Sequence, residues 1–310
     1  MPILKRKTQV AYKAETNEGT AETPGTGDCF LVFDPGYDPD IARYKRDPAR
    51  NNLSQLESLP GERSGKMTFI AELVGSGTKG VAPAWGGLMK ACGFAESIST
   101  GTSVTYTPAS ASVPSLTLSM YLDGILKKMW GCRGDVKLVL EKGKPGLLHF
   151  TFTGADFSLT DAAMLSGVSY SAVKPKVFLG AQFSIDSYAA IISKLEVQAG
   201  NVVALRDSVN AASGFLSAFI SDRDPKAVFD PEAVTVDTKD FFGMWRGSTG
   251  AAMAATLGST ADTGNMFVIN APKAQVEDVK SADRKSIRVF NITAGLKGNT
   301  GDDELSIVIS

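Results

Sequence analysis

The sequence predicts a mainly β fold, an antiparallel sandwich or barrel, laid out as two tandem domains that each carry a short flanking α-helix. Three observations point there: residues alternate with period two, turn signals punctuate the alternation, and one stretch of the chain weakly repeats another. Apolar and polar residues alternate in SLTLSMYL (Leu116, Leu118, Met120), DVKLVLEK (Val136, Leu138, Leu140) and LLHFTFTG (Leu148, Phe150, Phe152). That is the period of a strand with one face buried. KVFLGAQFSID, KSIRVFNITAGL and ELSIVIS read the same way. Asp123-Gly124, the run from Lys142 to Gly146, and Gly298 to Asp303 separate these strands as turns. Such spacing favours antiparallel sheets over strand-helix-strand units.

Helical signals are few. PAWGGLMKACGFA places Trp85, Leu88, Met89 and Cys92 on one face, with Pro83 suited to a first turn. DTKDFFGMWRG offers Asp237 or Thr238 as an N-cap, Phe241, Phe242 and Trp245 facing inward, and Gly247 as the stop. Segments 14–28 and 34–65 are polar, carry scattered Pro and Gly, and are expected to be long loops. At a constant offset of 140, Arg133 to Gly154 lies on Lys273 to Ala294 without a gap, and SGKMTFIAE from Ser64 resembles SGFLSAFIS from Ser213. These matches suggest a duplication with domains at 1–160 and 161–310.

Composition excludes several classes. The 310 residues are 43% hydrophobic, enough for a core, and the 32 basic and 33 acidic side chains leave a formal net charge of -1. Near-neutrality supplies no bulk attraction for nucleic acid or an anionic membrane. Cys29, Cys92 and Cys132 are widely spaced and read as reduced, buried thiols. The N-terminal MPILKRKTQVAYK has no apolar core of a signal peptide, and no apolar run approaches the ~18 residues of a membrane span. The expectation is a soluble protein made in a cytoplasm, with no membrane insertion.

Chemistry is sparse. Proton transfer near neutral pH leans on histidine, and His149 is the only one, on a predicted strand. It reads as a surface or interface residue, and no G-x-S-x-G elbow accompanies it. Gly75, Gly77 and Gly80 satisfy G-x-G-x-x-G between a strand and a helix, the local context of a dinucleotide-binding turn. The antiparallel segments that follow do not supply the parallel crossover this motif needs, so a strand-to-helix loop is the expected role. Asp302, Asp303 and Glu304 read as a turn, and Trp130 and Trp245 as core. No catalytic, cofactor or metal residue is assigned, and the chain is expected not to be an enzyme.

GERSGKMTFIAELVGSG, SLTLSMYLDGILKKMWGCRGDVKLVLEKGKPGLLHFTFTGADFSL, SKLEVQAGNVVALRDSVNAASGFLSAFISDRDP with its following FDPE, and GDDELSIVIS together resemble tail tube (major tail) proteins of long-tailed bacteriophages. The resemblance implies two tandem tail-tube-like sandwich or open-barrel domains whose sheets join those of neighbouring copies into a ring. Stacked rings would form a hollow tube through which double-stranded DNA passes transiently, without specific binding. Where six tube domains make a ring, a two-domain chain closes it with three copies at pseudo-sixfold symmetry; a hexamer is the alternative. The implied partners are the chain itself, a tape measure protein and other tail proteins, and the implied location is the virion tail, assembled in the host cytoplasm. A lumen that lets DNA slide should be acidic or small and polar on balance, because inward cations would hold phosphates. The charged segment with Arg43, Tyr44, Lys45, Arg46 and Arg50 is the candidate contact between rings. The rival reading is a virion decoration or carbohydrate- or receptor-binding β-sandwich protein.

Overall fold

Alternation of apolar and polar residues becomes a ladder of antiparallel strands. The computed structural model describes residues 3–310. Its first half holds β1 (Thr8–Ala14), β2 (Cys29–Phe30), β3 (Phe33–Tyr44), β4 (Leu59–Glu72), α1 (Gly86–Ala91), β5 (Phe94–Ser99) and β6 (Ser103–Pro108). There follow β7 (Leu116–Leu122), β8 (Gly124–Glu141), β9 (Leu147–Gly154) and β10 (Asp156–Ala162). The second half holds β11 (Gln182–Ile185), β12 (Tyr188–Ala189), β13 (Lys194–Gln198), β14 (Asn201–Asp207), β15 (Phe215–Arg223) and β16 (Lys226–Phe229). It closes with α2 (Phe241–Gly247), β17 (Gly250–Leu257), β18 (Phe267–Arg284), β19 (Ile287–Leu296) and β20 (Ser306–Ile309). The protein is mainly β.

Eight strands form one antiparallel sheet in the order β3-β4-β9-β8-β13-β16-β19-β18. Two of its members are long enough to enter a second layer. The first nine residues of β8 leave this sheet and pair with β7 and β10 instead. The change of direction falls at Gly131, whose φ of 62° is open to glycine at little cost, beside a register shift in the β7–β8 ladder. Likewise the start of β18 pairs with β17 and β20, across a register shift opposite Pro272 and Lys273. A proline at a bulge forfeits no regular ladder bond.

The pairing scheme of the first half recurs in the second. The antiparallel ladders β1–β7, β3–β4, β4–β9, β7–β8, β8–β9 and β8–β10 have counterparts in β11–β17, β13–β16, β16–β19, β17–β18, β18–β19 and β18–β20. Two ladders cross between the halves, β8–β13 and β6–β20.

One face of the eight-stranded sheet is the floor of the core. Met67, Phe69, Leu148, Phe150, Phe152, Val136, Leu138, Leu195, Val197, Phe229, Ile292 and Val276 are all buried there in a single apolar cluster. Phe69 lies opposite Phe150, and both rings approach Phe152. The helices and the strands of the second layer cover this face, so apolar side chains leave water on both sides.

Several expectations change. Segment 34–65 is not a loop: β3 and β4 form a long hairpin arm, and only residues 45–58 at its tip are irregular. Polar residues extend here because the arm pairs with itself through its backbone rather than by burying a face. The strand β7 is buried on both faces, since it lies between layers. KVFLG contributes only isolated bridges at Val177 and Phe178 ahead of β11. The helix after Pro83 begins at Gly86, with Trp85 at its N-cap; Gly86 and Gly87 leave room for Tyr106 and Tyr12, which a Cβ would strike. The second helix is capped by Asp240, whose Oδ1 accepts from Gly243 N–H at 2.6 Å, and not by Asp237 or Thr238. Only Phe241 of its aromatics is buried; Phe242 and Trp245 stay 40% and 39% exposed. Helix α2 stops at Ser248, in the left-handed region with φ 50°.

The gapless offset of 140 also fails in detail. Val139 pairs with Leu147 across a turn of residues 142–146, whereas Val279 pairs with Ile292 because the second hairpin is longer and turns at Lys285 and Ser286 alone. By pairing, the counterpart of β4 is β16 and not the segment from Ser213, which leads into β15.

Candidate assembly surface

The second face of the eight-stranded sheet is polar and uncovered over most of its width. Lys66, Thr68, His149, Thr151, Lys137, Glu196, Lys226, Thr293 and Lys280 project from it by alternation with the core residues. One transverse row reads Leu147, Val139, Glu196, Val228, Thr293 and Asp278. Most of the lysines on this face are matched by carboxylates; Lys66 is not, among the described residues. Glu196 accepts from both Lys137 and Lys194, across the seam where the halves meet. Glu277 takes Lys226 at 3.4 Å and Lys297 at 2.9 Å. Burial pushes the Glu196 carboxyl up, but the hydrogen bonds and charges of the two lysines outweigh it and hold the group below the usual carboxylate range. His149 is half-buried between Ile70 and Lys137, and burial, reinforced by the Lys137 charge, keeps its imidazole less basic than usual. That environment favours a neutral ring.

The sheet ends at two strands with open edges. β3 pairs only with β4, and β18 past Val276 pairs only with β19, among the described residues. An edge strand leaves backbone N–H and C=O groups free to pair with another chain.

The sequence candidates Arg43, Tyr44, Lys45, Arg46 and Arg50 are brought together at the tip of the β3–β4 arm. Arg43 and Tyr44 end β3, and the others lie in the irregular turn. All are exposed, Tyr44 at 68%. Four cations share the tip with two carboxylates, Asp47 and Glu57, and Lys45 approaches Asp47 at 3.4 Å. Arg63 anchors the base of the arm by a two-pronged contact with Asp156 at 2.6 and 3.0 Å. In the second half the corresponding position, between β13 and β16, holds the β14–β15 hairpin, which folds back onto the sheet. Arg63 N–H donates to Ser213 C=O, and Asn201 Nδ2 donates to the carbonyls of Cys92 and Gly134. One arm projects and its counterpart packs.

The glycine-rich loop has a structural use. A Cβ on Gly75 would meet the Gly264 carbonyl, and Gly77 N–H donates to that oxygen at 3.4 Å. Asn265, buried, locks the joint by accepting from Gly75 N–H at 2.8 Å and donating to Lys174 C=O at 3.0 Å. The loop thus ties the first half to the second, with Gly75 and Gly80 facing backbone and Gly77 facing the Val173 side chain. The three thiols are buried and free. Trp130 is half-buried, and Trp85 is the tryptophan of the core, its Nε1 donating to Val74 C=O.

Open edges are expected from the sequence, but not that β3 and β18 carry them, and the packed β14–β15 hairpin has no counterpart in that expectation. The edges carry no residue signature, but the alternation in KSIRVFNITAGL and the length of the segment before it could have marked a strand pair longer than its surroundings. Among the described residues, no helix is long and apolar enough to cross a membrane. A scan against protein-family models finds no match, and a search of the curated proteins finds none either.

Proposed function

We propose that this chain is a structural subunit that joins copies of itself into rings, and rings into a hollow tube, in the manner of the tail tube proteins of long-tailed bacteriophages. The observation that carries the reading is the eight-stranded sheet: apolar and covered on one face, polar and charge-matched on the other, and unpaired at both ends. Closure through the edges with the polar face towards the channel keeps the covering helices and strands on the outside of the ring. Head-to-tail contacts that close by rotation give a ring, and axial stacking extends it.

Two units of four strands in one chain favour a ring of three chains with pseudo-sixfold symmetry. The channel wall is then neutral by pairing, not acidic, with lysines held by Glu196 and Glu277 and threonines between them. Binding to DNA grows with the number of phosphates neutralised. A wall most of whose cations are already paired suits the transient passage of double-stranded DNA from capsid to host. The cationic tip at Arg43, Tyr44, Lys45, Arg46 and Arg50 is the contact between stacked rings. A tape measure protein inside the tube and other tail proteins at its ends complete the partners, in the virion tail. No catalytic role is assigned to any residue.

Sedimentation velocity of the purified chain over rising concentration tests the reading. Rings that grow into large, fast-sedimenting particles support it; a single slow species at every concentration overturns it.

A further inference from the structure

We propose that the open edge of β18 in one copy pairs antiparallel with the open edge of β3 in a second copy, in the register that joins β8 to β13 within the chain. The inference rests on the ring-forming reading above and names the strands that close the ring.

The internal correspondence supplies the template. β18 holds the place of β8 in its half, and β3 holds the place that β13 holds in the other. β8 and β13 pair inside the chain; β18 and β3 are the equivalent strands left without a partner on those edges, among the described residues.

The free backbone groups are on the correct residues. Lys285 and Ser286, both at positive φ, make a two-residue turn that closes Arg284 against Ile287. Arg284, Ala282 and Lys280 therefore aim their backbone at β19, and Val279, Ser281 and Asp283 aim theirs outward. On the other edge, Leu73 N–H donates to Gly146 C=O on the β9 side. Odd-numbered residues of β4 thus face β9 and even-numbered ones face β3, which leaves Tyr37, Pro39 and Ile41 aimed outward from β3. Lys280 to Asp283 are exposed, so nothing in the chain covers the edge there.

The matching bulges fix the register. Met129 and Cys132 flank the shift opposite Thr117 as Ala271 and Ala274 flank the shift opposite Ala252, so Cys132 corresponds to Ala274. Two residues on, Gly134 faces Phe152 and Val276 faces Ala294, so Phe152 corresponds to Ala294. Val197 lies opposite Ala227 as Tyr37 lies opposite Met67, and Ala227 lies opposite Ala294 as Met67 lies opposite Phe152. Tyr37 is thereby the counterpart of Val197. Val136 lies opposite Phe150 as Val279 lies opposite Ile292, so Ser281 is the counterpart of Leu138. Since Val197 pairs with Leu138, Tyr37 pairs with Ser281 of the next copy. Asp38 then opposes Lys280, and Gly36 opposes Ala282. This places an acid against a base on the polar face, as Lys194 is set against Glu141 at the internal seam. Lys280 holds Asp278 of its own strand at 2.7 Å, and its side chain is 74% exposed, which leaves room for Asp38 to share it.

Pro39 offers a carbonyl but no N–H, so the ladder is thinner than its internal template. A proline at an outward position also blunts pairing with unrelated edges. The contact is therefore selective by charge and register and not by the number of backbone bonds.

The test is a full-length chain with Asp38→Cys and Lys280→Cys. These positions form a non-hydrogen-bonded pair, with Cα atoms about 4.5 Å apart, inside the range a disulfide spans. Mild oxidation of assembled protein is expected to give covalent multimers on a non-reducing gel, which neither single variant gives. In parallel, Lys280→Asp is expected to raise the concentration needed for assembly by about tenfold, and adding Asp38→Lys to restore it. Rings or tubes that form without the cross-link and ignore the charge reversal overturn the edge assignment and leave the proposed function standing. A wild-type chain that never assembles overturns both.

Discussion

Val197 of the second half lies directly opposite Leu138 of the first, in the ladder where β13 meets β8. Both side chains are buried in one apolar cluster that runs through the two halves. Two units that share a sheet and a core in this way unfold together. Leu138→Ala is expected to cost about 2–5 kcal/mol, from lost transfer energy and the cavity left behind. Urea unfolding followed by fluorescence and by circular dichroism should give one coincident transition, shifted to lower urea in the variant. Two separate transitions in the wild type would contradict a shared core.

The charges at the same seam make a pH prediction. Glu196 has a folded pKa below its unfolded value, so it binds a proton less readily when folded. Its contribution is present above the unfolded carboxylate pKa and fades as pH falls through the lower folded value. Stability lost on acidification should be smaller in Glu196→Gln than in the wild type, and at pH 7 that variant should be less stable by about 1 kcal/mol, since its lysine partners are partly exposed. Thermal melts at pH 7 and pH 3 measure both.

The glycine loop separates packing from ligand binding. Gly75→Ala puts a methyl into the Gly264 backbone, and Asn265→Ala strips Gly75 N–H of its acceptor. The second change should cost about 1–3 kcal/mol through the unsatisfied buried group. Nucleoside phosphates should shift the melting temperature of none of these proteins, and a rise of several degrees in the wild type would restore the dinucleotide reading.

Deleting residues 44–51 removes Tyr44, Lys45, Arg46 and Arg50 and leaves the β3–β4 ladder up to the Arg43–Pro60 pair. Such subunits are expected to stay folded and to close rings that do not stack. Normal tubes from the deletion chain would remove this tip from the contact between rings.

The β class was legible because alternation is a local property: Val136, Leu138 and Leu140 face the core and Lys137 and Val139 do not, as the pattern in DVKLVLEK says. What lay beyond reach was pairing between distant strands. Nothing in β13 marks β8 as its neighbour, and a bulge between Val276 and Asp278 breaks any constant offset between the halves. The polar composition of 34–65 reads as loop because alternation marks a strand only where one face is buried, and the arm buries almost none. Residue type alone points Phe242 and Trp245 inward, whereas a helix of seven residues buries one narrow stripe, here Phe241. The candidate tip residues were found by charge, and charge is what they display.

Negative-stain microscopy of the concentrated wild-type chain looks at the working object itself. Cylinders with a continuous stain-filled channel and a regular axial repeat are the expected images. A field of small solid particles, unchanged at any concentration, would mean that the borders of this sheet have no counterpart in another copy.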